Sequence, residues 1–568
     1  MAELHNIQTL ITQHIDLWTG AVKERSSAGR GGSSKRELYG IKKLRELILE
    51  LAVRGKLVAQ DPNDEPASVL LERIAAEKEE LVKQKKIKKP KKLPPISEDE
   101  KPFELPDGWE WTRVGSVFNV VYGKGLPSTQ LTESGFDVFG ANGLIGFYSE
   151  YLYEDPQLLV SCRGAYSGKP NLSPQNCFVT SNSLVLEYTW EHLNQRYIYC
   201  YLEAVDKGQI VTGSAQPQVT ATNLDPFLLN IPPLQEQHRI VAKVDELMAL
   251  CDQLEQQTAS SLDAHQTLVQ TLLDTLLQSA NAEELEQNWQ RLSAHFDLLF
   301  TTEQSIDQLK QTILQLAVMG KLVPQDPNDE PASELLKRIA AEKDELVKQK
   351  KIKKQKPLPP INDDEKPFQL PKGWEWCRFY EFSNEIATGP FGSMIHKRDY
   401  VQNGIPLINP SHMINNSVIE DESISITSQK AQELSSYALQ KNDLVTARRG
   451  ELGRCALITE REHGWICGTG SFVIRFIDEV DRNFVLLLFA CSYVRGYLSG
   501  NSIGTTMTNL NHGILNKMPV GLPSIDEQHR IVAKVDQLMT LCDQLKAKLA
   551  DSKTTQLNLT DALVAQAV

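Results

Sequence analysis

At 568 residues the chain exceeds the length at which single hydrophobic cores split, so several compact units are expected. It has no 18-residue apolar run, polar residues interrupt its N-terminal stretch throughout, and its nine cysteines include no C-x-x-C pair, which argues against a membrane span, a secretory signal, a disulfide frame and a zinc site. A cytoplasmic location is expected. The net charge of −13 excludes a general basic coat for nucleic acid but leaves room for a local basic groove.

Along the chain, almost every segment outside two stretches occurs twice. "ITQHIDLWT" from Ile11 returns as "LSAHFDLLFT" from Leu292, pairing His14 with His295. The glycine- and serine-rich stretch 26–34 reads as a flexible linker. An apolar stripe at Ile41, Leu44, Ile48 and Leu51 predicts a helix that ends at Gly55, and Ile306, Leu309, Ile313, Leu316 and Gly320 repeat it. "GKLVAQDPNDEPASVLLERIAAEKEELVKQKKIKK" from Gly55 then matches a near-copy from Gly320, at an offset of 265. Its end is a lysine run, seven lysines in the ten residues Lys83–Lys92 and six in the nine residues Lys348–Lys356. Such a run is either a solvated linker or a tether reaching backbone phosphates.

"LPDGWEW" and "LPKGWEW" open the two dissimilar stretches, each with a Pro-x-Gly turn followed by tryptophans, Trp109 and Trp111 or Trp374 and Trp376. These either pack the domain entrance or stack on bases. The stretches themselves, Thr112–Leu229 and Arg378–Val520, share almost no sequence, and the second is 25 residues longer. β-like runs ("SVFNVVY", "NSLVLEY", "DLVTA", "SFVIRF") among glycine loops, with helical pieces such as "EHLNQRYIYCYLEAV", predict mixed α+β domains.

Basic residues gather in two equivalent glycine loops, "SCRGAYSGKP" with Arg163, Tyr166 and Lys169, and "TARRGELGRC" with Arg448, Arg449 and Arg454. Glycine lets backbone approach a ligand, and the arginine fork suits guanine edges or phosphates. Near the end of each domain "GSAQPQVT" from Gly213 lines up with "GTTMTNLN" from Gly504, adding Gln216 and Gln218, and Thr505 and Asn509, as polar candidates for base edges.

After each domain the ten letters "EQHRIVAKVD" appear unchanged, at Glu236–Asp245 and Glu527–Asp536. The apolar spacing of four, three, four, three through Ile240, Val244, Leu247, Cys251 and Leu254, and through Ile531, Val535, Leu538, Cys542 and Leu545, is a coiled-coil seam. These ten residues are the candidate subunit interface, and the two seams are expected to pack on each other as long antiparallel coiled-coil helices. In "PSIDE" Ser524 and Glu527 form a capping box, whereas Pro233 fills that slot in the earlier copy. The resulting division is 1–104, a helical repeat with its lysine linker; 105–230, the first domain; 231–300, the central long helix; 301–369, the second helical repeat; 370–521, the second domain; and 522–568, the C-terminal helix. A duplication folded this way has a pseudo-twofold axis.

No catalytic motif is complete. "GAYSGKP" has Arg163 where a phosphate loop needs glycine and Pro170 where it needs Ser or Thr. "NPSH" at Asn409 and "DPF" at Asp225 resemble the adenine-methylation motif but lack its second proline, and His238 and His529 read as surface or partner contacts.

The doubled "EQHRIVAKVD" frame, the "GWEW" entrances and the long helices after two dissimilar domains resemble the specificity subunit of a type I restriction-modification system, over nearly the whole chain. The resemblance implies two target recognition domains, each reading one half of a split asymmetric site in double-stranded DNA. It also implies two methyltransferase subunits on the copied helices and restriction motor-nuclease subunits in the full complex. S-adenosylmethionine, ATP and Mg then belong to those partners, with no cofactor or metal on this chain. The alternative is a coiled-coil scaffold without DNA recognition.

Overall fold

In a computed structural model of the chain, residues 6–25, 35–188, 191–213, 216–280, 282–354, 356–501 and 509–568 are described. The linker expected at 26–34 lies outside them. The chain divides into two units, Met1–Leu262 with Asp551–Val568, and Asp263–Ala550. Two long helices, the central helix Leu234–Gln278 and the terminal helix Ile525–Ala567, are each shared between the two units.

In the first unit helix α1 (Tyr39–Val53) buries Ile41, Leu44, Ile48 and Leu51 on one face. Gly55, at φ +69°, ends it, and the Lys56 amide donates back to Leu51 O at 2.9 Å. A Cβ at Gly55 would stand 2.4 Å from Pro106, so both conformation and space require glycine there. Helix α2 (Ala67–Lys83) follows. The seam residues Ile240, Val244, Leu247, Cys251 and Leu254 share one core with α1, and Arg45 on α1 pairs with Asp252 and Glu255 at 2.6 Å. Leu563 and Val564 of the terminal helix pack against the same core.

The first domain enters on β1 (Glu110–Arg113) and leaves on β9 (Leu228–Ile231), which pair antiparallel with Thr112 opposite Leu229. Between them lie β2 (Asn119–Tyr122), β3 (Phe136–Phe139), β4 (Leu144–Tyr148), β5 (Leu158–Ser161), β6 (Pro170–Leu172), β7 (Phe178–Val179), β8 (Ser183–Glu187) and helix α3 (Gln195–Ala204). One antiparallel sheet has the order β2-β8-β5-β6 and a second the order β4-β3-β7, with β3 and β7 parallel.

The second unit is built alike. Helix α4 (Glu303–Val318) shares a core with Ile531, Val535 and Cys542, against which Leu538 and Leu545 pack half-buried. Lys546 pairs with Asp307 at 3.0 Å. Gly320 ends α4 at φ +71°. Helix α5 (Ala332–Lys348) leads to β10 (Glu375–Arg378), which pairs with the exit strand Pro519–Leu522. The main sheet runs β11 (Ser383–Thr388), β16 (Ser471–Phe476), β13 (Leu444–Ala447), β14 (Cys455–Leu457), the same order as in the first domain. Its second sheet again holds a parallel pair, β12 (Ile405–Ile408) with β15 (Ile466–Cys467).

Within each unit, then, the seam is covered by a short helix of its own half. Ile240, Val244, Leu247, Cys251, Leu254, Ile531, Val535 and Cys542 are only 0–6 % exposed. That corrects their reading as interface residues, because side chains so deeply buried have no surface to give another chain.

A hydrogen-bonded clamp joins the copied segments. Glu236, in the first turn of the central helix, accepts from Trp109 Nε1 and Gln60 Nε2, both at 3.0 Å. Glu527 accepts from Trp374 Nε1 at 3.0 Å and Gln325 Nε2 at 3.2 Å, both through Oε1. Trp109 and Trp374 are therefore core residues, which removes base stacking for them. The next letters of the motif serve the same joint. Gln237 Oε1 accepts from the Asn194 amide and Gln528 Oε1 from the Asp481 amide, at 2.8 and 2.9 Å. Arg239 pairs with Asp64 and Arg530 with Asp329, at 2.6 and 2.5 Å. Ser524 Oγ accepts from the Glu527 amide at 3.1 Å as its capping role requires, but the Glu527 side chain turns inward to the indole and does not close the box.

Burial pushes the Glu236 and Glu527 carboxyls above their ordinary range, with the indole and amide donors pulling the other way. A carboxyl raised in the folded state binds protons more readily there than in the unfolded chain. Its contribution to stability therefore falls as pH rises from the ordinary carboxylate range through the raised value. Glu527→Gln keeps the single accepting oxygen and removes the charge, so the expected result is an intact fold with a flatter stability–pH slope in that window. Glu527→Ala strands the buried Trp374 indole N–H, while Gln325 keeps the Gly320 carbonyl, and should cost about 1–3 kcal/mol. Urea unfolding at several pH values checks both.

Candidate nucleic-acid interface

The loop 162–169 joins β5 to β6 at one end of the main sheet. Gly164 and Gly168 take φ +81° and +88°, which folds it into a compact turn. The Gly164 amide donates to Pro217 O at 3.0 Å, Ser167 Oγ donates to the same oxygen at 2.7 Å, and Val219 N donates to Cys162 O at 3.0 Å. Arg163 and Gln218 sit opposite each other as a β-bridge. The structure thus brings together five residues proposed from two separate segments: Arg163, Tyr166, Lys169, Gln216 and Gln218. Arg163, Tyr166, Gln216 and Gln218 are exposed or partly so, and Lys169 Nζ lies 5.7 Å from the Tyr166 ring. Arg163, Gln216 and Gln218 are exposed, and among the described residues nothing bonds the Arg163 guanidinium or either glutamine amide.

The second domain repeats the arrangement with different side chains. Its loop 448–454 joins β13 to β14, with Gly450 at φ +82°. Arg449 bridges Asn509, and Leu510 N donates to Arg448 O at 3.0 Å. Thr505 lies outside the described residues. The Arg448 guanidinium stands 5.8 Å from the Phe472 ring, whose other neighbour is His512 at 5.1 Å between centroids. Burial, and Arg449 beside it, work against the Arg448 charge; burial and Arg448 in turn lower the His512 pKa. Like charges held together in this way favour an anionic ligand. Arg454 is different: it pairs with Glu451 and reaches Pro410 O at 3.4 Å, so its fork is occupied within the loop.

Two groups of residues escaped the sequence reading. His512, which pairs through Nε2 with Thr388 Oγ1 at 2.6 Å, lies one residue past the polar segment that ends at Asn511. In the first domain the turn before β4 is anchored to the sheet by Ser183 Oγ donating to Gly140 O at 2.7 Å and by Ser161 Oγ donating to Ala141 O. Ser161 is two residues from Arg163, and the turn presents Leu144 and Ile145, 55 % and 51 % exposed. Their sequence signal is the apolar "LIGFY" after "GANG", which neither charge nor polarity marks as a contact.

Known proteins resemble this chain along its length. The family model described as "Type I restriction modification DNA specificity domain" matches residues 106–264 and 372–552. The type I restriction enzyme EcoAI specificity subunit of Escherichia coli is 43% identical, over 99% of this chain and 100% of its own length. The EcoEI specificity subunit of Escherichia coli is 42% identical, over 98% and 99%. The crystal structure of the HsdS subunit from Thermoanaerobacter tengcongensis has a TM-score of 0.40 at 18% identity, covering 82% of this chain and 98% of that one. The chain belongs to the specificity subunits of type I restriction-modification systems, whose part is DNA sequence recognition. A scaffold without DNA recognition is thereby set aside. Among the described residues no helix is long and apolar enough to cross a membrane.

Arg449→Ala should cost about 1–3 kcal/mol of binding and relax discrimination at one base pair if its guanidinium makes a bidentate guanine contact, whereas a uniform loss across sequences would make it a phosphate contact. Arg454→Ala should leave discrimination unchanged, since that guanidinium already serves Glu451. Binding of the assembled complex to a panel of single-base site variants separates the two.

Proposed function

We propose that each recognition domain reads one half of a split, asymmetric site in double-stranded DNA, through Arg163, Tyr166, Lys169, Gln216 and Gln218 in the first domain and Arg448, Arg449 and Asn509 in the second. Leu144 and Ile145 suit apolar contact with thymine methyl groups. The duplicated frame, with its pseudo-twofold repeat and long antiparallel helices, holds two methyltransferase subunits. Restriction motor-nuclease subunits join in the full complex, in the cytoplasm. Adenine methylation with S-adenosylmethionine, and cleavage with ATP and Mg, take place on those partners; this chain contributes the choice of sequence.

One observation carries the partner half of this reading. The core requires Glu236, Gln237, Ile240 and Val244, but His238, Ala242 and Asp245 are at least partly exposed, lie on one helical face at spacings of four and three, and are nonetheless unchanged as His529, Ala533 and Asp536. His238 Nδ1 meets Asn194 at 3.0 Å and His529 meets Asp481 at 3.7 Å, so each histidine also touches its own domain. An accessible face kept identical in both copies suits two identical partners.

Ala242→Arg should remove one methyltransferase from the purified complex, and Ala242→Arg with Ala533→Arg should remove both; native mass measurement reads the stoichiometry directly. Full occupancy in the double variant would place the partners elsewhere. Exchanging 112–229 for the equivalent domain of a relative should change only one half of the methylated site. Methylation mapping would expose a joint reading as a change in both halves.

A further inference from the structure

The lysine runs are held more firmly than their composition suggests. Each begins as a helix end: the Lys86 amide donates back to Leu81 O at 3.0 Å and the Lys351 amide to Leu346 O at 2.9 Å. Lys85 and Lys350 take left-handed backbone, φ +56° and +58°, the position glycine fills without strain and a residue with a β-carbon does not. Ile87 folds back beside Ile74, Leu81 and Val117 around a hollow of about 180 Å³. Downstream the chain is pinned again. Buried Arg113 donates to Pro94 O and Pro95 O at 2.9 and 3.1 Å and to Glu100, and Arg378 does the same with Pro359 O, Pro360 O and Glu365. Lysines fixed on both sides in this way form a turn of set position at the entrance of each domain.

The charges there are uncompensated. Lys83 and Lys348 stand near Glu80 and Glu345, at 4.0 and 3.5 Å. Among the described residues no carboxylate pairs with Lys85, Lys86, Lys88 or Lys89, nor with Lys350, Lys351, Lys353 or Lys354, and all eight are exposed. The seven residues 83–89 are identical in the second copy, whereas exposed positions of the preceding helix have diverged, Val69 to Glu334 and Glu72 to Lys337. The helix dipole accounts for a cation or two in the last turn. It does not account for Lys88 and Lys89 beyond the helix, or for a lysine kept where glycine would sit more easily.

We infer that each lysine turn binds phosphates of the DNA backbone, giving the complex affinity that is independent of sequence and additional to the reading loops. The inference rests on the reading of the two domains as DNA-binding, and its occupant is set by charge: a chain of net charge −13 keeps these cations free of acidic neighbours. The test uses the complete complex with its methyltransferase partners and a duplex carrying the methylated site, with the dissociation constant measured against salt. Replacing Lys85, Lys86, Lys88, Lys350, Lys351 and Lys353 with Gln should weaken binding at least tenfold at low salt. It should also flatten the slope of log K against log salt by about 0.9 for each phosphate no longer neutralised, roughly 2 to 5 in all. Discrimination between cognate and altered sites should stay the same. Lys85→Gly with Lys350→Gly should raise the melting temperature and still weaken binding, which a purely structural turn would not do. Unchanged affinity and slope in the six-lysine variant, with specific binding by the unaltered complex intact, would overturn the inference alone. Loss of methyltransferase assembly with an unchanged slope would overturn it in favour of an acidic protein partner. Absence of specific binding by the unaltered complex would overturn the reading of the domains and this inference with it.

Discussion

A buried carboxylate in the first turn of each long helix ties the parts of each unit together. Glu236 and Glu527 are 1 % and 4 % exposed, and a buried charge is tolerated only where donors meet it and the local field favours it. Both conditions hold, because an indole, an amide and the positive end of a 45- or 43-residue helix converge on one group. The three segments that supply the joint, around Gln60, Trp109 and Glu236, are far apart in sequence. A shift in any of them would leave a charge or an indole unpaired inside the protein. Copying all three together is therefore a physical necessity, and it explains the repeated "EQHR" first as a joint of the chain with itself.

That joint leaves the recognition domains free to differ. Their sheets share one strand order although their sequences do not align, because the ladders are made by backbone and ask of the side chains only inward apolar positions, such as Val185 in one domain and Val473 in the other. At the sheet end the same backbone bridge pairs Arg163 with Gln218 in one domain and Arg449 with Asn509 in the other. The scaffold fixes where two polar side chains will stand, and sequence variation chooses which ones. A fixed frame with exchangeable contacts is what a family of readers of different sites requires.

Much of this was legible in the sequence, for identifiable reasons. The strands at "NSLVLEY" and "SFVIRF" show because apolar β-branched runs bounded by turns have few other solutions. Gly55 and Gly320 mark helix ends because left-handed caps favour glycine. The equivalence of Arg163 with Arg449 was visible from loop chemistry alone. The partner of the seam was not legible: a four-three spacing says that a helix face is covered, and a short helix such as α1 covers it as well as another long one. The Trp374–Glu527 bond is hidden for a similar reason, since nothing local distinguishes a glutamate that completes a capping box with Ser524 from one that turns inward. His512 carries no such signal, because it stands one residue beyond the polar run that ends at Asn511.

Charge is distributed on the same division between frame and reader. A chain of net charge −13 repels DNA at long range, and screening confines that repulsion to about 8 Å at physiological salt. At closer approach what counts is which cations lack partners. Arg45, Arg239, Arg338, Arg475 and Arg530 are all spent on internal carboxylates, whereas Arg163 and Arg449 have no carboxylate partner among the described residues. The acidic surface thus works against adhesion to arbitrary DNA, while among the described residues the unpaired cations gather at the two glycine loops and the two lysine turns. Selectivity in such a protein comes as much from the arginines it neutralises as from those it leaves exposed.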